Sequence, residues 1–119
     1  MKKLIHLMIV LVIVFSCSKE NETLKVEYRV SEASAATDIT YRNAESEMIS
    51  ETVEFNSSED AWNLVTDMKR GDIVFVSALY HDSTSSVNVQ VLVDGKIIKQ
   101  KSSVNEPEKY VIASGTVPY

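Results

Sequence analysis

The sequence predicts an all-β fold, an antiparallel β-sandwich of about seven short strands that follows an N-terminal export segment. Three observations carry this expectation. Apolar and polar residues alternate over repeated short runs, as in Leu24, Val26, Tyr28 and Val30 set between Lys25, Glu27, Arg29 and Ser31. Turn-forming residues interrupt those runs at spacings of roughly ten to thirteen residues. No stretch keeps a helical period for long. Strands with one wet face each are accommodated by two sheets packed face to face.

The chain opens on Lys2 and Lys3, continues through a mostly apolar run from Leu4 to Phe15, and closes that run with Ser16 and Cys17. A basic start, an apolar middle and a small residue at the cut site make a secretory signal peptide. Val14-Phe15-Ser16-Cys17 resembles the lipobox of bacterial lipoproteins. The resemblance implies cleavage between Ser16 and Cys17, with Cys17 the lipid acceptor and the first mature residue. An uncleaved anchor helix and an ordinary cleaved signal are the competing readings. Length argues against the anchor: residues 4–16 as a helix reach about 20 Å, short of the roughly 30 Å of hydrocarbon a span must cross. The expected division is a signal peptide over 1–16, a lipidated tether over 17–23 and a β-sandwich domain over 24–119. Two or more acyl chains hold a protein firmly on a bilayer without spanning it, so the expected membrane contact runs through the acyl chains on Cys17. That residue is the only cysteine, and lipidation accounts for an odd cysteine in an exported chain.

Of 119 residues, 12 are basic and 17 acidic, for a formal charge of −5. Loss of Lys2 and Lys3 with the signal takes it to −7. Nucleic-acid binding rests on Lys and Arg neutralising phosphates, so no nucleic-acid partner is expected. Anionic headgroups would repel such a domain as well, which leaves the anchoring to lipid. The acid excess otherwise serves solubility.

Ser18 to Thr23 is polar and reads as a short tether. Ser18 in second place after the cysteine is similar to outer-membrane sorting in lipoproteins of Bacteroidetes type, and Lys19-Glu20-Asn21-Glu22 resembles their surface-export signal. The first strand then starts at Leu24. After a turn at Ser34-Ala35-Ala36, Ile39 and Tyr41 alternate with Asp38, Thr40 and Arg42. Asn43 to Glu47 turns the chain again. Ile49, Val53 and Phe55 share one side of a third strand, with Glu51 an awkward member of that face. Asn56 to Met68 is expected as an irregular crossing or short strand. A short helix placing Trp62, Val65 and Met68 on one face is the alternative, and one so short is marginal alone. Ile73 to Tyr80 is apolar on both faces, so it is central or has its outer face covered. Val87, Val89, Val91 and Val93 form the clearest strand, followed by Asp94-Gly95, the strongest short hairpin signal. Lys96 to Lys101 returns antiparallel, Asn105-Glu106-Pro107 turns, and a last strand covers Lys109 to Ala113. The tail with Pro118 suits a free end.

Val26-Glu27-Tyr28-Arg29-Val30, Ile39-Thr40-Tyr41, Ala61-Trp62, Val74 to Ala78 and Val91-Leu92-Val93-Asp94-Gly95-Lys96 resemble the small mycobacterial membrane proteins of the MmpS type. The resemblance covers most of the mature domain, from Val26 to Ala113. It implies an immunoglobulin-like sandwich and a role as an accessory subunit of large RND-type exporters. Members of that family have an N-terminal membrane helix where this chain resembles a lipoprotein, and often a cysteine pair, with Val89 standing where the first cysteine would be.

His81-Asp82 is the nearest approach to a chemical site. Metal sites want three or four converging ligands, and His81 is the only histidine after the signal, so no metal is expected. Ser83, Ser85 and Ser86 have no Gly-x-Ser-x-Gly elbow, and Gly71, Gly95 and Gly115 fall at strand ends rather than in a phosphate loop. No cofactor and no catalysis are expected. Trp62 reads as core. An exposed aromatic cluster around Trp62, Tyr80 or Tyr110 would point to sugar binding, and an exposed second face on Ile73 to Tyr80 to an interaction patch. The expected protein is therefore a lipid-anchored, non-catalytic module of the cell envelope, placed in the outer membrane with its domain on the periplasmic or surface face. It has an envelope protein partner or, alternatively, captures a glycan or protein ligand.

Overall fold

The structure, a computed structural model, describes residues 23–118. Ser16, Cys17 and the expected signal and tether up to residue 22 lie outside the described residues. Eight strands follow one another: β1 Thr23–Ser31, β2 Thr37–Arg42, β3 Met48–Val53, β4 Ala61–Lys69, β5 Ile73–Tyr80, β6 Ser86–Val93, β7 Lys96–Val104 and β8 Tyr110–Thr116. They form two antiparallel four-stranded sheets, in the orders β4-β1-β6-β7 and β3-β2-β5-β8. The expected sandwich is present, with one strand more than the approximate count read from the sequence. No helix among the described residues is long and apolar enough to cross a membrane.

In one sheet β4 lies beside β1, and in the other β5 lies beside β2 with β8 on its far side. β6 pairs with the other side of β1 although it arrives late in the chain, and its hairpin partner β7 forms the edge beyond it.

The period-two pattern turns each strand as expected. Val26, Tyr28, Val30, Ile39, Val74, Val76, Ala78, Tyr80, Val87, Val89 and Val91 are fully buried between the sheets. Val89 is a fully buried β6 residue opposite Val30 and Lys101. At Asp94-Gly95 the backbone takes φ of 50° and 82°, positive at both central residues as a type I′ hairpin requires.

One expectation is sharpened and two need correction. Of the irregular crossing, short strand or helix expected between Asn56 and Met68, the strand is what forms, and it is longer than expected, the regular nine-residue β4. Its inward residues are Trp62, Leu64 and Met68, packed on or in the core, while Val65 is exposed. Pairing along the whole of β1 supplies the stability that local periodicity did not reveal. The last strand starts at Tyr110 and runs to Thr116, which puts Gly115 inside it. The core packs Val117 beyond it, and main-chain bonds tie that residue to Gly71 and Asp72. Finally, β3 stops at Val53, so Phe55 is buried from the loop that follows.

Alternating strand directions give the domain two distinct ends. Thr23, the first described residue, sits opposite Lys69, and Gly71 bonds Val117 beside it. The Asp94-Gly95 hairpin lies at this end too, with Asp94 N–H donating to the Lys25 carbonyl. The loops 32–36, 54–60, 81–85 and 105–109 gather at the opposite end.

Candidate functional site

The far end of the outer face of the β3-β2-β5-β8 sheet carries the most developed site among the described residues. Register sets it out in rows. Thr52, Asp38, Leu79 and Tyr110 are neighbours across the four strands, and Ser50, Thr40, Ser77 and Ile112 form the next row. All are outward positions, two apart along their own strands. Together Asp38, Thr40, Ser50, Glu51, Thr52, Leu79 and Tyr110 line a shallow dish of about 300 Å³. Its β2–β3 half is polar and its β5–β8 half apolar. Tyr110 is 65% exposed and Ile112 46%.

The polar half is held in place by side-chain hydrogen bonds. Thr52 Oγ1 donates to Asp38 Oδ1 at 2.7 Å, and the Thr40 and Ser50 hydroxyls meet at 2.8 Å. His81, just past the end of β5, joins the rim. Its Nδ1 lies 2.7 Å from Glu108 Oε1 and its Nε2 3.3 Å from Asp38 Oδ2. With a carboxylate acceptor at each ring nitrogen, the imidazolium is the form that satisfies both contacts. Glu108 and then Asp38 therefore raise the His81 pKa above its ordinary value. The Thr52 hydroxyl, followed by His81, holds the Asp38 carboxyl below the usual range. Glu108 is fixed from the other side, because its N–H donates to the Tyr80 carbonyl at 2.9 Å while its backbone sits at φ 67°, a region a non-glycine residue occupies only when its surroundings hold it.

His81 does come next to carboxylates, but not to Asp82. Asp82 instead receives the Thr84 N–H at 2.8 Å and the Thr84 hydroxyl at 2.7 Å, which lower its pKa in the same order. Asp38 and Glu108 lie 43 and 27 residues from His81 in sequence, so no local motif announced them. Neither His81 nitrogen bonds a serine hydroxyl; Ser85 Oγ donates to the Ser86 carbonyl.

The three aromatic candidates separate cleanly. Tyr80 is buried, its hydroxyl accepting the Glu106 N–H and meeting Ser103 Oγ. Trp62 is half-buried against Tyr41, ring centroids 5.6 Å apart, and its Nε1 donates to Glu51 Oε1 at 2.7 Å. That bond explains Glu51: it points toward the sandwich interior but sits on an edge strand, where the indole of the facing sheet satisfies it. Of the three, Tyr110 alone is freely presented.

Sequence reasoning singled out Tyr110 and His81 and missed Asp38, Thr40, Ser50, Thr52 and Glu108. The alternation showed the first four to be outward, but which outward residues become neighbours depends on register. No protein-family model matches the chain, and no characterised relative matches it.

Proposed function

We propose that this protein is a lipid-anchored, non-catalytic binding module of the bacterial cell envelope. It is tethered through Cys17 and engages its partner through the far part of the β3-β2-β5-β8 face. The observation that carries the reading is the position of Tyr110, Leu79 and the dish relative to Thr23. Asp38 and Leu79 are paired six residues along β5 from Ile73, about 20 Å at 3.3 Å per residue. The tether joins at the other end, so a membrane-held domain presents this face away from its anchor. An exposed apolar group beside polar ones is the usual composition of a contact surface. The resemblance to MmpS-type proteins favours an envelope exporter as the docking partner.

The test is site-specific photocrosslinking in intact cells. A photoreactive residue at Tyr110 should yield one recurring crosslink to an envelope transporter subunit, and the same residue at Lys25, near the anchor end, should not. Equal or absent crosslinking at both positions would end the docking assignment. A second reading, capture of a ligand in the dish itself, is favoured by one specific feature: its polar half is already ordered by hydrogen bonds before anything binds.

A further inference from the structure

We infer that the dish is a binding site for a neutral saccharide, with the Tyr110 ring as its stacking surface and Asp38, Thr40, Ser50 and Thr52 as its hydroxyl-reading groups. The inference rests on the ligand-capture reading and gives that ligand a chemical class.

The argument starts from spacing. Adjacent strands lie about 4.8 Å apart, and outward residues two apart on a strand are separated by about 6.6 Å. The Asp38–Thr52 and Thr40–Ser50 pairs therefore make a small rectangular grid of oxygens, about the footprint of one pyranose ring. The grid offers both hydrogen-bond senses: hydroxyls donate and accept, and a carboxylate accepts only. A sugar hydroxyl, which also donates and accepts, can satisfy every member of such a grid. The Thr52–Asp38 and Thr40–Ser50 bonds use only part of that capacity, and an apolar ligand would desolvate the remainder without replacing its water partners.

The other half of the dish supplies what the grid lacks. Leu79 and Tyr110 continue the Thr52–Asp38 row onto β5 and β8, so an amphipathic ring meets oxygens on one side and an apolar surface on the other. A pyranose has that division, with hydroxyls at its edge and C–H groups on its face. The 65% exposed Tyr110 ring gives a flat surface with few side-chain torsions to freeze on binding.

Charge sets the class. No lysine or arginine lines the dish, while Asp38 lies within it and Glu108 stands behind His81 on its rim. Glu51 adds a third carboxylate, so the acids outnumber the single imidazolium of His81, whose two nitrogens are already taken by Glu108 and Asp38; that balance disfavours anionic glycans and leaves neutral or N-acetylated sugars. The hydrogen bonds already made by Thr52 to Asp38 and between Thr40 and Ser50 mean that little side-chain freedom remains to be lost. The dish is open and shallow, so affinity for one ring is expected to be modest and to rise with a repeating glycan.

The full-length lipidated protein, in a detergent without a sugar headgroup, is applied to an array of neutral, N-acetylated, sialylated and sulfated glycans. Hits are then titrated by calorimetry. Retention of neutral or N-acetylated glycans, with sialylated and sulfated ones passed over, is the expected result. Tyr110→Ala and Asp38→Asn should each weaken the best hit at least tenfold. Both residues sit at the surface, so thermal melts should stay near the parent's. Ile97→Ala, on the other sheet, should bind as the parent does. Retention of no glycan, preference for anionic glycans, or full binding by Tyr110→Ala would overturn the inference. If glycans fail while the Tyr110 crosslink to an envelope protein succeeds, the saccharide is wrong and the binding face stands. If both fail, the face itself is misassigned.

Discussion

Tyr28 shows how much a single side chain contributes to joining the two sheets. It projects from β1, and its hydroxyl donates to the Arg42 carbonyl at 2.7 Å and accepts the Phe75 N–H at 3.3 Å. Burial of the phenol raises its pKa. Tyr28→Phe keeps the ring and its 5.9 Å contact with Tyr41 but leaves two main-chain groups of the opposite sheet short of a partner. The expected cost is about 1–2 kcal/mol, read as a fall in Tm of several degrees; an unchanged melt would show that water replaces the hydroxyl. His81 is the other residue with a sharp expectation. Its pKa is raised by Glu108 and Asp38, so this pairing contributes fully below about pH 6.5, the ordinary value. The contribution is lost as pH rises through the higher folded-state value. An NMR titration of the imidazole should give a midpoint above the ordinary value, brought down by Glu108→Gln. A midpoint at or below the ordinary value in the parent would refute the clasp.

At the scale of strands and turns, two glycines with opposite requirements test the backbone account. Gly95 has open space around it but a φ of 82°, so Gly95→Ala should cost about 1 kcal/mol through conformation alone. Gly115 has no such φ, and a Cβ there would meet the Lys99 Cε at 3.1 Å, the far end of a flexible side chain. Gly115→Ala should therefore stay within about 0.5 kcal/mol of the parent. Denaturant unfolding of the pair decides the matter: a loss at Gly95→Ala no larger than at Gly115→Ala would show that the positive φ does not limit the hairpin. The edge strands follow the same logic. β7 carries Lys96, Lys99 and Lys101 and a register shift in its pairing with β6, features that discourage edge-to-edge association. On the opposite side of the sandwich, Trp62 and Glu51 bond across from β4 to β3.

For the whole molecule, the decisive question is how it is held. If Cys17 carries acyl chains, Cys17→Ala abolishes fatty-acid labelling in cells and leaves the precursor uncleaved. Labelling that persists in the variant would remove the anchor and with it the reason for reading Thr23 as the membrane end. The two-ended arrangement of the loops holds either way, because strand directions and register alone produce it.

By itself, the sequence determined the all-strand character, the inward sets on β1, β2 and β6, the Asp94-Gly95 hairpin and the two-faced β5. Each rests on near-neighbour physics, a period of two or a turn that demands positive φ, and such signals survive without knowledge of the partner strand. Only the tertiary structure decided that Trp62 to Met68 is a strand, since its ladder lies along β1, dozens of residues earlier in the chain. It also decided that Glu51 serves an indole, that His81 takes Glu108 and Asp38 in place of adjacent Asp82, and that four outward oxygens form a grid beside Tyr110. These are contacts between residues distant in sequence, fixed by which strand lies next to which and in what register. Alternation along a chain says which way a side chain points and nothing about what it will meet there.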